Sequence, residues 1–300
     1  MYADFISIYD LTSEELQELL DLADELKRKF RAKEEHHRLS GKTLGMVFEK
    51  PSLRTRVTFE TGMYHLGGHA VFIQTTLGER ETVPDIARNL DRWVDGIVAR
   101  THSHEAMLEL ASYSSVPVIN ALTDRLHPCQ VLGDAQTIRE HKGQLEGLKV
   151  VFVGDGNNVF ASWANLATRF AFDLTLVCPQ GYELKGEVHE RAIKEAKGVY
   201  KVCHNPEEGV PGADVVYTDV WVSMGQEVET AKRKEAFGPY QVDRRLMELA
   251  GDQALFMHCL PAHREEEVTH EVIEGEQSVV FDQAENRLHA QKAVLVKLMG

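Results

Sequence analysis

Polar side chains that can bind an anion stand directly after a predicted strand early in the chain. Residues 43–48 form a short apolar strand, and Ser52, Arg54 and Thr55 follow where a helix begins. A serine at this junction suits a helix N-cap, and the first helical turn favours a phosphate through its N–H groups and dipole. The guanidinium of Arg54 adds a planar fork matched to phosphate oxygens. The segment is therefore a candidate phosphate site, although a capped surface helix with solvated arginines explains the pattern equally well.

Further polar residues follow other predicted strands in the same way. They are Arg100 and the residues at 127–130, 154–158, 218–225 and 258–264. In an open parallel sheet, ligands bind beyond the carboxyl ends of the strands. The sequence therefore predicts that these residues line a shared cleft.

Three other chemistries are only weakly indicated. The Gly-Asp-Gly at 154–156 follows an apolar strand, but Val159 stands where a dinucleotide site has its third glycine. His258, Cys259 and His263 offer at most three zinc ligands, and no second ligand pair accompanies them. Cys259 as a nucleophile would need a base partner, which the sequence does not supply. We therefore predict neither a metal nor a cofactor.

Short apolar strands alternate with helical segments along most of the chain. Thr12 and Glu15 have the spacing of a capping box before an amphipathic helix. The predicted strands are 43–48, 69–73, 96–99, 116–119, 150–153, 174–177, 215–217 and 255–257, and one of the helices is predicted at 83–93. This alternation is typical of parallel sheets built from βαβ units. We predict an α/β fold of two domains, each with a mostly parallel sheet flanked by helices, at 1–140 and 148–284, with a final helix at 285–300 packing back on the first.

The composition restricts the partners. The chain has 300 residues, 33 Lys+Arg and 47 Asp+Glu, for a formal charge of −14. That field repels nucleic acid and anionic membranes, so an anionic substrate would need a local arginine cluster. No apolar run has the length of a membrane span, and residues 1–10 lack the pattern of a signal peptide. With four cysteines and no C-x-x-C pair, we expect free thiols in a cytoplasmic protein.

In order along the chain, the motifs resemble the ornithine carbamoyltransferases of the aspartate/ornithine carbamoyltransferase superfamily. They are Ser52-Leu53-Arg54-Thr55-Arg56, Arg100, His127-Pro128-Cys129-Gln130, residues 154–158, Asp219 with Ser223-Met224-Gly225, and His258-Cys259-Leu260-Pro261. The similarity is collinear from Phe48 to Arg287. It implies two α/β domains with the active site in the cleft between them, a homotrimer or a multiple of trimers, and no cofactor. The implied reaction converts carbamoyl phosphate and L-ornithine to L-citrulline and phosphate, in arginine biosynthesis.

The resemblance also implies a role for each matching residue. Carbamoyl phosphate would be bound by Ser52, Leu53, Arg54, Thr55, Arg100, His127, Gln130, Cys259, Leu260 and Arg287. Ornithine would be bound by Asn158, Asp219, Ser223 and Met224. Arg100 and His127 would polarise the carbonyl oxygen, and Cys259 would lie beside the attacking amine.

Two positions depart from the family pattern. Leu53 stands where Thr or Met is usual, but the contact expected there is made by the backbone. The loop at 75–81 lacks the Gln or His often found near Thr76, which removes the residue type that would supply a supplementary contact to carbamoyl phosphate.

Other functions remain to be separated from this one. Aspartate, putrescine or an N-acylated ornithine could be the acceptor, although Asp219 suits an amine better than a carboxylate. A non-catalytic binding protein of the same fold would be expected to lack Arg54, Arg100 or His127, and all are present. A nicotinamide-dependent dehydrogenase is the fourth hypothesis. Biosynthetic and degradative roles share the same chemistry.

Overall fold

The structure is a computed structural model that describes residues 4–222 and 227–300. The strands are β1 (Thr43–Phe48), β2 (His69–Gln74), β3 (Gly96–Arg100), β4 (Val118–Leu122), β5 (Lys149–Val153), β6 (Asp173–Val177), β7 (Tyr200–Cys203), β8 (Val215–Thr218) and β9 (Leu255–His258). The helices are α1 (Ser13–Arg31), α2 (Leu53–His65), α3 (Val83–Leu90), α4 (His104–Tyr113), α5 (Pro128–Lys142), α6 (Asn158–Ala167), α7 (Glu187–Glu195), α8 (Pro206–Gly209), α9 (Thr230–Phe237), α10 (Arg244–Ala250), α11 (His270–Ile273) and α12 (Val280–Met299). Single 3-10 turns are found at Ile8–Asp10, Glu227–Glu229 and Gly238–Tyr240.

The chain divides into two units, each built on one sheet. The first unit comprises Met1–Gln136 with Glu285–Gly300, and the second comprises Thr137–Ala284. The divisions fall within α5 and α12, whereas the boundary expected from the sequence lay between residues 140 and 148.

In the first unit, parallel strands have the order β2-β1-β3-β4. All residues of β1 after Thr43 are buried, as expected for a parallel strand covered on both faces. The helix α1 begins at the predicted capping box, in which the side chains of Thr12 and Glu15 each accept from the other residue's N–H. Chain order reverses between β1 and β3. The carboxyl ends of these two strands are therefore where a ligand is expected.

In the second unit, parallel strands have the order β7-β6-β5-β8-β9. Aromatic side chains fill its interior, and the rings of Phe152 and Tyr217 stack with centroids 5.1 Å apart. Chain order reverses between β5 and β8. Gly154 and Asp219, which follow these strands, thus lie at the ligand-binding edge of this sheet.

The predicted alternation of strands and helices is confirmed, with differences at particular elements. The strand β7 was not predicted, since its residues are only partly buried and form an edge strand. The helix α3 ends at Leu90 rather than at residue 93, and the carboxylate of the next residue, Asp91, accepts from the hydroxyl of Ser114 and the N–H of Ser115. The helix α12 begins at Val280, earlier than predicted. Within residues 4–222 and 227–300, no helix combines the length and hydrophobicity needed to cross a membrane.

Candidate active site

The N-terminus of α2 presents the predicted phosphate-binding segment. Ser52 occupies the N-cap position, but its side chain makes no capping hydrogen bond to the helix. The first-turn N–H groups of any α-helix lack intrahelical acceptors, so this end can receive an anion. The side chain of Leu53 is 75% exposed and does not pack in the core, so core packing does not restrict the residue type at this position. Thr55, by contrast, is buried and points into the unit.

Thr55 belongs to a buried polar group that the last helix completes. From α12, Arg287 donates through Nη2 to the hydroxyl of Thr55 at 3.3 Å and through Nη1 to Oε1 of Gln130. Gln130 in turn donates to Oδ1 of Asp134 at 2.8 Å. Gly133 allows α5 and α12 to approach, since a Cβ there would lie 3.2 Å from Cδ of Arg287. Residues far apart in sequence therefore form one set of donors and acceptors.

His127 lies among the arginines of the first unit. It is 5% exposed, and burial lowers its pKa well below the ordinary value. The positive charges of Arg287, Arg100 and Arg54 lower this pKa further. The imidazole is therefore neutral at physiological pH, and it can donate one hydrogen bond without carrying a charge. The same three arginines, whose positive charges disfavour protonation of His127, are suited to bind a ligand with two negative charges.

Asp219 is the centre of the corresponding site in the second unit. Its Oδ2 accepts from Nδ2 of Asn157 at 2.7 Å, and its Oδ1 accepts from Sγ of Cys259 at 2.9 Å. The side chain is almost buried, with 8% of the residue exposed. Asn157 also caps α6 by accepting from two backbone N–H groups, so it fixes the carboxylate to that helix. A buried carboxylate beside a thiol can receive a cationic or amine-bearing ligand.

His258 and Glu267 support the backbone around Cys259. Nδ1 of His258 accepts from the N–H of Leu260 at 2.8 Å, which places the ring proton on Nε2. That Nε2 donates to Oε1 of Glu267 at 3.0 Å, and both side chains are fully buried. Leu260 itself has φ of 56°, a left-handed conformation that costs a non-glycine residue about 1–2 kcal/mol. The two buried side chains hold this turn in place.

The structure thus places the predicted residues in two sets, one in each unit. Ser52, Leu53, Arg54, Thr55, Arg100, His127, Gln130 and Arg287 belong to the first unit, and Asn158, Asp219, Cys259 and Leu260 belong to the second. Asn158 is the first residue of α6, next to Asn157. Ser223 and Met224 lie outside the described residues.

Sequence reasoning missed supporting residues whose partners are distant in the chain. Gln291, with its side-chain amide oriented to satisfy its neighbours, accepts from Nη2 of Arg287 at 2.8 Å. Its position one helical turn after Arg287 was the only available signal. Asn157 lies in the 154–158 segment, but its position in the sequence does not distinguish it from Asn158, and Glu267 follows no strand end or motif.

The Gly-Asp-Gly segment has a structural explanation. A Cβ on Gly156 would lie 2.2 Å from the backbone nitrogen of Leu184, so close packing requires glycine here. Asp155 forms a buried ion pair with Arg233, at 2.8 Å between Oδ2 and Nη1. Gly156 is therefore explained by close packing and Asp155 by its ion pair, so neither residue points to a dinucleotide site.

Among the residues that the structure describes, two groups of side chains have ligand atoms close enough to share a cation. They are Asp219, His258 and Cys259, and His263, Glu266 and Glu267. In the first group, both nitrogens of His258 are engaged, by Leu260 and Glu267. In the second, Lys234 forms an ion pair with Glu266 at 2.6 Å. These contacts favour hydrogen-bond networks over metal ligation.

The remaining cysteines are not placed for chemistry. Burial raises the pKa of the Cys129 and Cys178 thiols to about 12, so both remain protonated. Cys203 is partly exposed, and its Sγ donates to the carbonyl of Asn205. All are free thiols, as predicted.

The chain matches two family models over most of its length. Residues 3–140 match the carbamoyl-P binding domain of aspartate/ornithine carbamoyltransferase, and residues 146–298 match its Asp/Orn binding domain. An ornithine carbamoyltransferase of Carboxydothermus hydrogenoformans is 54% identical over 99% of this chain and 97% of its own. That of Pelobacter propionicus is 51% identical over 100% of this chain and 99% of its own.

A solved structure gives the same result. The ornithine carbamoyltransferase from Pyrococcus furiosus superimposes with a TM-score of 0.96 at 48% identity. The match covers 99% of this chain and 97% of that one. An acetylornithine transcarbamylase complexed with acetylcitrulline is more distant, with a TM-score of 0.90 at 33% identity.

Proposed function

The chain belongs to the aspartate/ornithine carbamoyltransferase family, and from this membership we propose that it transfers the carbamoyl group of carbamoyl phosphate to the side-chain amine of L-ornithine. The products are L-citrulline and phosphate. The observation on which the proposal depends most is the neutral, buried His127 among three arginines. The positive charges suit a dianionic donor, and the neutral imidazole of His127 can donate a hydrogen bond to its carbonyl oxygen.

The first unit binds the donor. The N-terminus of α2, with the side chains of Ser52, Arg54 and Thr55, receives the phosphate, and Leu53 contributes its backbone N–H. Gln130 binds the carbamoyl amino group, and Arg287 reaches the same ligand. The contacts of Arg287 to Thr55 and Gln130 support these roles, because they bring the side chains together before the ligand arrives.

His127, Arg100 and Thr55 stabilise the oxyanion that forms when the carbonyl carbon is attacked. Charge develops on that oxygen in the transition state, so preorganised donors lower the barrier. The pKa of His127 supports a hydrogen-bond role rather than proton transfer, since a strongly lowered pKa makes the imidazole a poor acceptor of a proton.

The second unit binds the acceptor. Asp219 pairs with an ammonium of ornithine, Asn158 supplies an amide, and Cys259 with Leu260 lies beside the attacking amine. The bond from Cys259 to Asp219 supports this grouping. Ser223 and Met224 complete the proposed set from the segment outside the described residues.

Transfer proceeds by direct attack. The neutral amine of ornithine adds to the carbamoyl carbon, the carbon–nitrogen bond forms, and the bond to the phosphate oxygen breaks. The departing phosphate accepts the amine proton, so no strong general base and no covalent enzyme intermediate are required. Aspartate has two carboxylates and would need a basic pocket. The acidic side chain of Asp219 suits an acceptor with an ammonium group instead, which favours ornithine over aspartate.

An assay of ureido-product formation, with citrulline as the product when ornithine is the acceptor, tests the proposal. The purified chain is incubated with carbamoyl phosphate and ornithine, and then with aspartate, putrescine or N-acetylornithine as the acceptor. We expect the highest kcat/KM for ornithine. A clear preference for another acceptor, or binding of nicotinamide cofactor in a titration, would contradict the assignment.

Arg54→Ala and Arg56→Ala form a matched pair on the same helix. Arg54 is expected to contact the phosphate, and its loss should lower kcat/KM for carbamoyl phosphate at least a hundredfold. Arg56 instead stacks on Phe72 at 3.8 Å and pairs with Glu60 at 2.9 Å. Its replacement should change kcat/KM less than threefold, because its guanidinium is held by Phe72 and Glu60 and is assigned no contact to the ligand.

Exposed apolar residues of the first unit are suited to contacts between copies of the chain. Val57 and Tyr64 on α2 and Val71 on β2 are exposed by 48%, 78% and 40%, and β2 is a sheet edge. Exposed apolar side chains beside an open edge strand support self-association, which we propose is a homotrimer or a multiple of trimers. Analytical ultracentrifugation of the wild type and of Tyr64→Glu measures the molar mass of the assembly. The free thiols support a reducing cytoplasmic location, and arginine biosynthesis is the proposed pathway.

A further inference from the structure

The strand end that carries Arg100 departs from a regular ladder. In β3 and β4, Ala99 pairs with Asn120. The next pair joins Arg100 to Leu122, which leaves Ala121 as an extra residue on β4. A bulge of this kind bends the strand and changes the direction of neighbouring side chains. The β4 side of the ladder therefore does not by itself fix the direction of Arg100.

Glu49, the first residue after β1, holds the same strand end from the opposite side. Its N–H donates to the carbonyl of Arg100 at 3.0 Å. Its Oε2 accepts from the N–H of His102 at 2.6 Å. Hydrogen bonds to an ionised carboxylate are roughly twice as strong as neutral ones. The backbone on both sides of Thr101 is thus tied to Glu49.

The other carboxylate oxygen of Glu49 holds a second loop. Its Oε1 accepts from the N–H of Leu77 at 2.9 Å, in the segment that follows β2. Leu77 is buried in the apolar core of the first unit, with Val47 and Val83 among its neighbours. One side chain therefore links the carboxyl ends of β1, β2 and β3, which is the edge where the donor site lies.

We propose that Glu49 is a positioning residue for carbamoyl phosphate binding: its carboxylate joins the loops after β2 and β3 and thereby fixes the direction in which Arg100 meets the ligand. This inference rests on the proposed function. Glu49 need not touch the ligand, because its effect passes through the backbone of Arg100, Thr101 and His102. A preorganised arginine binds more tightly, since less conformational freedom is lost when the ligand arrives.

The opposite end of the same strands supplies a matched control. Asp95 precedes β3, and its Oδ2 accepts from the N–H of Thr43 at 2.8 Å. Its N–H donates to the carbonyl of Thr43 at 2.8 Å, and its Oδ1 pairs with Lys42 at 3.2 Å. Asp95 thus joins β1 to β3 as Glu49 does, but at their amino ends. If such a carboxylate had a purely structural role, its replacement would have the same effect on KM and on the thermal midpoint at either end of the strands.

The experiment compares Glu49→Gln with Asp95→Asn in the full chain. The measurements are kcat, KM for carbamoyl phosphate, KM for ornithine and the thermal midpoint. For Glu49→Gln we expect KM for carbamoyl phosphate to rise about tenfold or more, because a charged hydrogen bond between the loops is lost. KM for ornithine should stay within twofold. For Asp95→Asn we expect a lower thermal midpoint with both KM values within twofold.

A double-mutant cycle identifies Arg100 as the intermediary. In an Arg100→Ala background, Glu49→Gln should change KM for carbamoyl phosphate less than threefold, because the side chain that it positions is gone. Equal effects of Glu49→Gln with and without Arg100 would contradict the proposal. Should Glu49→Gln not fold, Glu49→Asp replaces it. This variant keeps the charge but is too short to reach both loops, and the same rise in KM is expected.

The outcomes separate this inference from the proposed function. A wild-type chain that forms no citrulline contradicts the function itself. A wild type that forms citrulline, together with a Glu49→Gln variant whose KM for carbamoyl phosphate is unchanged while its thermal midpoint falls, overturns the positioning role alone.

Discussion

Arg287 donates a hydrogen bond to Gln130 across 157 residues of sequence. Both side chains are buried, with 2% and 1% of each residue exposed. A guanidinium removed from water is stabilised only when its N–H groups find acceptors. The C-terminal helix therefore belongs to the donor-binding unit for a chemical reason as well as through its apolar packing.

Replacing Arg287 should weaken donor binding. For Arg287→Gln we expect KM for carbamoyl phosphate to rise roughly ten- to a hundredfold, because charged hydrogen bonds contribute about 1.5–3 kcal/mol. Arg31→Gln is the control, since the side chain of Arg31 is 62% exposed and pairs with Glu285 on the surface. A citrulline assay at varied carbamoyl phosphate measures both variants. A KM for Arg287→Gln within twofold of the wild type would contradict the assignment.

Replacing Asp219 should affect the acceptor. For Asp219→Asn we expect kcat/KM for ornithine to fall at least a hundredfold, with KM for carbamoyl phosphate within threefold. Asp214→Asn is the control at the opposite end of β8, where Oδ2 of Asp214 accepts from the N–H of Lys149 at 2.8 Å. Initial rates at varied ornithine decide the matter, and equal losses in the two variants would assign Asp219 a structural role.

Cys259 should be accessible to alkylation and protected by ornithine. In a Cys203→Ser background, Cys129 and Cys178 remain protonated because burial raises the pKa of each to about 12. Loss of activity with iodoacetamide should then follow modification of Cys259, and saturating ornithine should slow it at least fivefold. Cys259→Ser should keep the fold and lose about tenfold in rate, because the shorter C–O bond draws the donor back from Asp219 and changes the position of the side chain beside the attacking amine. Full activity in this variant would remove Cys259 from the essential set.

Because His127 is neutral, its replacement should not change the shape of the dependence of log kcat on pH. Its pKa is lowered by burial and by the neighbouring arginines, so the imidazole stays neutral, with one N–H, and contributes no ionisation near neutral pH. For His127→Gln we expect about a hundredfold lower kcat, with the same shape of log kcat between pH 6 and 8. If an acid limb near pH 6.5 is present in the wild type and vanishes in the variant, His127 titrates and its proposed role is wrong.

His289 should make the protein less stable in acid. Burial, and then the charges of Lys292, Lys27, Arg31 and His65, lower its pKa to about 3. Below pH 6.5 the unfolded chain binds a proton that the folded chain does not, so stability falls as the pH falls through this window. From pH 7 to pH 5 the expected loss is about 2 kcal/mol from this residue.

Urea denaturation at both pH values measures that loss. In His289→Gln the difference between pH 7 and pH 5 should shrink by about 2 kcal/mol. The exposed His37→Gln serves as the control and should leave the difference as in the wild type. An undiminished difference in His289→Gln would assign the acid sensitivity to other groups.

Local patterns in the sequence predicted most of the strands and helices, although not the partly buried edge strand β7 or the ends of α3 and α12. The apolar run of β1 predicts a buried strand because a parallel strand that is covered on both faces needs apolar residues on both faces. The Thr12–Glu15 box fixes the start of α1, because the two side chains satisfy each other's backbone N–H. Motifs after strand ends also singled out Arg54, His127, Asp219 and Cys259 as candidates, because the parallel strands of each sheet bring their carboxyl ends to one edge of that sheet.

Only the tertiary structure decided how these residues act. The neutral state of His127 depends on burial and on charges contributed by α2, β3 and α12, which no local pattern contains. The need for glycine at 156 comes from the backbone of Leu184, and the roles of Glu49 and Gln291 come from contacts to other segments. Sequence periodicity reports which side of an element is buried, whereas pKa values and hydrogen-bond partners depend on what packs against that side.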